Sequence, residues 1–202
     1  MVDTYGFSPA QKIIINLTKK SKVLEIGSST GYMTAEFKKN GCRVDIVEVD
    51  KEAAESAKRF SEKIFQGSLE DKAIRQQIKE QYDIIVCADV LEHMTDPENA
   101  LEFLKKKLNR DGSILISIPN IACWEMRLKL LWGNFEYEES GILDKTHLRF
   151  YTYNTFLKLL TKLDFKITSI YPAETRIPLE ITVNKELWYW LGYYIGDGYL
   201  LK

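Results

Sequence analysis

The chain has 202 residues, of which 45% are hydrophobic and 28% charged. That length suits one domain with one sizeable core, and that composition excludes a disordered, collagen-like or coiled-coil protein. Lys and Arg number 28 against 29 Asp and Glu, a formal net charge of -1, so the chain lacks the basic excess with which proteins grip nucleic-acid phosphates, and no nucleic-acid partner is expected. Cys42, Cys87 and Cys123 show neither metal-knuckle nor CxxC spacing and are expected as reduced, mostly buried thiols of a cytoplasmic protein. Met1 to Gln11 lacks the basic-then-apolar pattern of a signal peptide. No stretch reaches the ~18 apolar residues of a membrane span.

In chain order, Ser8-Pro9-Ala10-Gln11 starts a helix with a capping box and proline at its first position. Val23 to Ile26 reads as a buried strand, and Tyr32 to Lys39 as a helix stopped by Asn40-Gly41. Arg43 to Val49 is a second strand, and Asp50 caps a helix through Phe60. Lys63 to Gln66 is a third strand, followed by a charged helix from Leu69 to Glu80. Tyr82 to Ala88 is a fourth strand whose Ile84, Ile85 and Val86 are continuous rather than alternating, as in a strand covered on both faces. Asp96-Pro97-Glu98 opens a helix to Leu108, and Asp111-Gly112 turns into a fifth strand, Ser113 to Ile118. Such alternation implies βαβ units, hence a parallel sheet with helices on both faces. After Pro119 the rhythm breaks. A short helix from Ala122 to Leu131 precedes an irregular stretch to Phe150. Thr152 then caps a helix to Leu163, Phe165 to Tyr171 is a strand, a helix covers about Asn184 to Ile195, and Tyr199 to Leu201 is a last strand.

The first strand-to-helix loop is Glu25-Ile26-Gly27-Ser28-Ser29-Thr30-Gly31, and the second strand ends at Glu48-Val49-Asp50. In an open parallel sheet ligands bind beyond the carboxyl ends of the strands. A carboxylate at Glu48 is placed to accept hydrogen bonds from a ribose diol, so an adenosine-containing cofactor is implied. A nicotinamide cofactor fits poorly, because the loop is not G-x-G-x-x-G. Together with Asp89-Val90-Leu91-Glu92-His93-Met94 after the fourth strand, these motifs resemble those of class I S-adenosylmethionine-dependent methyltransferases. Pro119-Asn120, Trp124, Arg127, Leu130 to Gly133, Phe135, Tyr137 and Gly141 to Thr152 are similar to one bacterial branch of that superfamily, associated with cell-surface glycans and small metabolites. The likeness covers about residues 20 to 202 and departs from the superfamily at Ser29, where glycine is usual.

The resemblance implies an α/β, Rossmann-like, seven-stranded and mostly parallel sheet with an antiparallel last strand, in a single domain over 1–202. Residues 121–150 and about 172–196 would cap the acceptor side. It also implies S-adenosylmethionine as cofactor and S-adenosylhomocysteine as product. Gly27, Ser28 and Gly31 would flank the methionine and ribose, Glu25 would lie near the amino group, Glu48 would hold the ribose and Val49 would pack on adenine. Ser68 and Leu69 would meet the adenine edge, and Ala88 and Asp89 would border the transferring methyl. The acceptor is expected to be a small molecule or sugar methylated on oxygen. The alternatives are nitrogen methylation of an amino sugar or other amine, and a non-catalytic cofactor-binding partner protein; the oligomeric state, homodimer included, stays open.

An acceptor hydroxyl must lose a proton, which asks for a base near neutrality. His147, with Asp144 and Arg149 close by in sequence, is the first candidate and His93 the second. Trp124, Tyr137 and Arg149 are expected in the acceptor pocket. Asp89 and Asn120 offer two oxygen ligands with no evident third, so no metal is expected.

Overall fold

The computed structural model describes residues 6–172 and 199–201. Five strands, β1 (Lys22–Ile26), β2 (Arg43–Glu48), β3 (Lys63–Gln66), β4 (Tyr82–Ala88) and β5 (Leu108–Ser117), pair in parallel in the order β3-β2-β1-β4-β5. Two three-residue segments follow on the β5 side. β7 (Tyr199–Leu201) pairs antiparallel with β5 at Ile116↔Leu201, and β6 (Ile170–Pro172) pairs antiparallel with β7.

Alternate residues of the central strands feed two separate cores. Leu24, Ile26, Ile85, Cys87, Ile114 and Ile116 face one core. Val23, Val86 and Leu115 face the other. Both faces are therefore dry, which is why these strands read as unbroken apolar runs. The helices are α1 (Pro9–Leu17), α2 (Tyr32–Lys39), α3 (Lys51–Ala57), α4 (Lys72–Gln77), α5 (Pro97–Lys105), α6 (Trp124–Leu131) and α7 (Tyr153–Lys162). Ile14 of α1, Met33 and Phe37 of α2 and Ala57 of α3 cover the second face. Ile74 of α4, Leu101 and Leu104 of α5 and Phe156 and Leu160 of α7 cover the first. The Ser8/Gln11 capping box is formed, as its sequence indicates, and all three cysteines are free and buried.

Several boundaries differ from the sequence reading. The helix expected over Leu69 to Glu80 is only α4, because Ser68 and Leu69 form a turn and Asp71 is the first cap position. The α5 helix stops at Lys105, and β5 begins at Leu108 rather than Ser113. The Asp111-Gly112 pair lies within β5, where the pairing with β4 shifts register between Tyr82 and Ile84. The strand expected from Phe165 begins only at β6: residues 165–169 are not in a strand, and Phe165 and Ile167 pack on the core. The helix expected near 184–195 and the cap near 172–196 lie outside the described residues, apart from the end of β6. Among the described residues, no helix is long and apolar enough to cross a membrane.

Candidate active site

Strand order reverses at β1, which has β2 on one side and β4 on the other, so a crevice opens beyond the carboxyl ends of β1, β2 and β4. The β1–α2 loop sits there. Gly27, Ser29 and Gly31 have φ of 70°, 49° and 83°, a left-handed conformation that costs an L-residue ~1–2 kcal/mol. A Cβ on Gly27 would stand 2.7 Å from Val90 Cγ2, and one on Gly31 would stand 2.8 Å from Ala57 Cα. The loop thus lies flush against the β4 exit and α3. Ser29, where the superfamily usually has glycine, is exposed and left-handed, as a glycine site would be.

Glu48 is buried at the end of β2. One carboxylate oxygen accepts the Ser29 backbone N–H at 2.7 Å and the other accepts that of Asp50 at 3.0 Å. Glu25 is buried one strand away and accepts the Thr34 hydroxyl at 2.6 Å. Burial raises its pKa to about 8, the Thr34 bond opposing and the Glu48 charge adding to the shift. Ser28 is buried, and its hydroxyl makes no hydrogen bond among the described residues. Val49 is exposed, Leu69 is buried, and the Ser68 hydroxyl is taken up by the Glu70 N–H. At the end of β4, Ala88 is half-buried. Asp89 has a φ of 54° and accepts the Ser117 hydroxyl at 2.9 Å. Burial raises the Asp89 pKa, opposed by that bond and by His147 and His93.

The acceptor-side candidates gather around a residue the sequence reading did not single out. Glu92 lies in a 3₁₀ turn (Leu91–His93) just after β4. It is 1% exposed, and neither carboxylate oxygen has a hydrogen-bond partner among the described residues. Burial lifts its pKa to about 8, with the Asp89 charge adding. His147 Nε2 stands 4.0 Å from Glu92 Oε1, and the His93 and His147 rings meet edge to face at 4.7 Å. Glu92, His93 and His147 each offer one ligand atom within 4.8 Å of the others.

The carboxylate facing His147 is therefore Glu92. Asp144, expected to orient the ring, instead accepts the Thr146 N–H and hydroxyl, while His147 Nδ1 is held by the Ile142 carbonyl at 3.0 Å. The Arg149 guanidinium donates to the Thr95 carbonyl at 2.7 Å, so it clamps the β4–α5 connection rather than standing free in a pocket. Trp124 begins α6 and is half-buried. Tyr137 is exposed within an aromatic group with Phe135 and Phe150, and Phe150 in turn approaches His147. Asn120 Oδ1 accepts the Ala122 N–H and Asp89 accepts from Ser117, so the two oxygens considered as metal ligands are already engaged. The sequence sign of Glu92 was a carboxylate set between Leu91 and Met94, both buried.

A parallel sheet with a flush glycine loop and a buried acid at the end of its second strand defines the Rossmann-like class of adenosine-cofactor enzymes. Residues 8–170 match the family model of a methyltransferase domain. The chain belongs to that family of methyltransferase domains. Over 107 residues it is 28% identical to a ubiquinone biosynthesis O-methyltransferase of Actinobacillus pleuropneumoniae; the alignment takes in 49% of this chain and 46% of that protein, so the chain matches under half of its relative's length. Among solved structures it resembles a possible histamine N-methyltransferase of Thermotoga maritima, with a TM-score of 0.68 and 17% identity over 96% of this chain and 86% of that one. It also resembles the magnesium protoporphyrin IX methyltransferase of Synechocystis PCC 6803 with bound SAH, with a TM-score of 0.62 and 15% identity over 96% and 78%. At these identities the structural likeness carries the fold.

Proposed function

We propose that the enzyme methylates a hydroxyl oxygen of a small molecule or sugar, with the acceptor seated against the Glu92–His93–His147 group. One observation carries this reading: at the carboxyl end of β4, two imidazoles converge with a buried carboxyl group that has no hydrogen-bond partner among the described residues, on and against the turn next to the glycine loop. The chemistry is an in-line displacement. The acceptor oxygen forms a bond to the methyl carbon as the C–S electron pair returns to sulfur, and the hydroxyl proton leaves to the histidine cluster. Since the sulfonium is already activated, alignment, exclusion of water and removal of that proton are what the protein must supply. The curated relative that it matches over about half of its length is an O-methyltransferase, which supports oxygen as the acceptor atom.

The residues present fit the cofactor. Gly27 and Gly31 leave the backbone of the loop bare, and the buried Ser28 hydroxyl is available to a polar group. A carboxylate has about four lone-pair positions. Glu48 spends two on backbone N–H groups, leaving two for a ribose diol. Glu25, Val49, Ser68, Leu69, Ala88 and Asp89 line the same strand ends and complete the cofactor side in this reading. Trp124, Tyr137 and the 121–150 segment form the acceptor side, in a single domain. The antiparallel pairings of β6 and β7 support a complete seven-stranded sheet with an antiparallel last strand.

The test is turnover of a panel of small phenols, hydroxy acids and sugars, read as S-adenosylhomocysteine formation. A general base contributes ~10²–10⁴-fold, so His147→Ala should lower turnover by about a hundredfold or more with S-adenosylhomocysteine affinity unchanged. Amines as the only accepted substrates, or full turnover by His147→Ala, would overturn the reading.

A further inference from the structure

We propose that Glu92, His93 and His147 form a binding site for one divalent transition-metal ion. The argument begins with tautomers. A carbonyl oxygen only accepts, so a histidine nitrogen bonded to one must be the N–H. His147 Nδ1 is 3.0 Å from the Ile142 carbonyl, and His93 Nδ1 is 3.2 Å from the Thr146 carbonyl. In each neutral ring the lone pair is then on Nε2. Backbone carbonyls that fix Nδ1–H are the support that metal-ligating histidines commonly have, and His147 Nε2 is the atom that faces Glu92.

The His147 lone pair meets a carboxyl group. His147 Nε2 is 4.0 Å from Glu92 Oε1, and both Glu92 oxygens are buried with no hydrogen-bond partner among the described residues. A carboxyl group and two imidazoles, each with a ligand atom within 4.8 Å of the others, need a positive group among them once the carboxyl is ionised. An unpaired buried charge is among the costliest features a fold can hold. A cation satisfies all three at once. Ligand atoms around one such ion, each at ~2.0–2.2 Å, stand up to ~4.4 Å apart, and the three here lie within 4.8 Å of one another, so small side-chain rotations close the set.

The ligand types select the metal. Two imidazoles and one carboxylate suit zinc, manganese, iron(II) or cobalt better than the all-oxygen preference of calcium or magnesium. Three protein ligands leave coordination positions open, as in catalytic rather than structural sites. The sequence expectation of no metal searched for oxygen ligands at Asp89 and Asn120. The structure turns attention to a nitrogen-rich set one turn further on, completed by a histidine 54 residues away in the sequence.

The catalytic consequence rests on the proposed function. With both imidazoles on the ion, they could not take the acceptor's proton; the ion would instead lower the pKa of the acceptor hydroxyl and hold its oxygen for attack on the methyl carbon, with the proton passing to solvent. Binding of the ion does not depend on that reading, and the experiment separates the two. The full chain, stripped with a chelator and dialysed, is titrated calorimetrically with zinc and manganese, and with cobalt(II) followed by visible absorption. One ion per chain is expected, with a rise in melting temperature. Outer ligand partners alone are worth ~10–100-fold in metal affinity, so Glu92→Gln and His147→Gln should each cost about a hundredfold or more. Glu92→Gln keeps side-chain shape, and its circular dichroism and S-adenosylhomocysteine affinity report whether fold and cofactor site survive. Equal metal affinity in the wild type and a folded Glu92→Gln overturns the metal site, as does absence of binding by the wild type. Loss of S-adenosylhomocysteine binding in the wild type would instead count against the cofactor reading.

Discussion

Glu48→Gln removes half of the acceptor capacity at the end of β2 while leaving side-chain shape intact. In the wild type the two carboxylate oxygens accept the N–H groups of Ser29 and Asp50 at 2.7 and 3.0 Å, in a site only 6% exposed. The amide keeps one oxygen. Its NH₂ must then face one of those two backbone donors, leaving a buried donor opposed by another at ~1–3 kcal/mol. It also withdraws an acceptor from one ribose hydroxyl and the negative charge from the other. Hydrogen bonds to charged groups contribute ~1.5–3 kcal/mol each, so one lost bond predicts ~10–150-fold weaker cofactor binding. Calorimetric titration with S-adenosylhomocysteine measures this directly, with thermal melting alongside to record the cost to the fold. Asp45→Asn is the control. Asp45 is also buried on β2, but its carboxylate accepts the Tyr82 hydroxyl at the opposite end of the strand. It should change stability and leave affinity alone. A folded Glu48→Gln with wild-type affinity would show that this acid shapes the loop without touching the cofactor.

Gly27→Ala and Gly31→Ala should both lower melting temperature and S-adenosylhomocysteine affinity, since each puts a side chain at positive φ. Val90→Ala should partly rescue the first, whose Cβ meets a valine methyl, and the second should have no such remedy because its Cβ meets the Ala57 backbone; failure of Val90→Ala to recover any stability would contradict the packing. Glu25 has a folded pKa of about 8 against an ordinary 4.5, so the folded state holds its proton more tightly. Its destabilising effect is absent below about pH 4.5 and grows as pH rises towards 8, at ~1.4 kcal/mol per pH unit or on the order of 3 kcal/mol by pH 7. Glu25→Gln should therefore flatten the fall in stability of the cofactor-free protein between pH 5 and pH 8, and an unchanged slope in urea unfolding would refute the assignment. Trp124→Ala and Tyr137→Ala should change turnover at wild-type S-adenosylhomocysteine affinity; a collapse of affinity in a folded variant would move the 121–150 segment to the cofactor side.

What could be read from the sequence follows from what each feature depends on. The central strands are buried on both faces, so Val23–Ile26 and Ile84–Val86 are continuous in the sequence itself. The Ser8 cap and the glycine loop are local backbone chemistry. The place of Glu48 at a strand end is legible because it closes the apolar run of β2. Boundaries depending on a neighbour were less visible: β5 starts early because Leu108 pairs with Tyr82 across a register shift, which no pattern within Leu108–Gly112 announces. Glu92 was hidden for a stronger reason. Its burial is supplied by residues more than fifty positions downstream, whose Leu148 and Arg149 N–H groups both bond to the Glu92 carbonyl. Asp144 was the natural partner for His147 by sequence distance, yet the chain turns so that its carboxylate closes on Thr146.

The short stretch from Asp89 to His93 joins the two halves of the site. Its Val90 side chain sits where a Cβ on Gly27 would be, against the glycine loop. Two residues on, the Glu92 carbonyl receives Leu148 and Arg149, and the Glu92 carboxylate faces His147. Asp89 is fixed from the other side by the Ser117 carbonyl and hydroxyl at the end of β5. A displacement of Val90 by the cofactor loop therefore cannot leave the acceptor rim unmoved, because the intervening residues form one 3₁₀ turn bonded at both ends. The left-handed Asp89 supports the same point: a strained backbone at the strand exit persists only where its surroundings over-determine it. In the proposed reading, the bonds that over-determine it would set the spacing between methyl donor and acceptor, on which an in-line transfer depends.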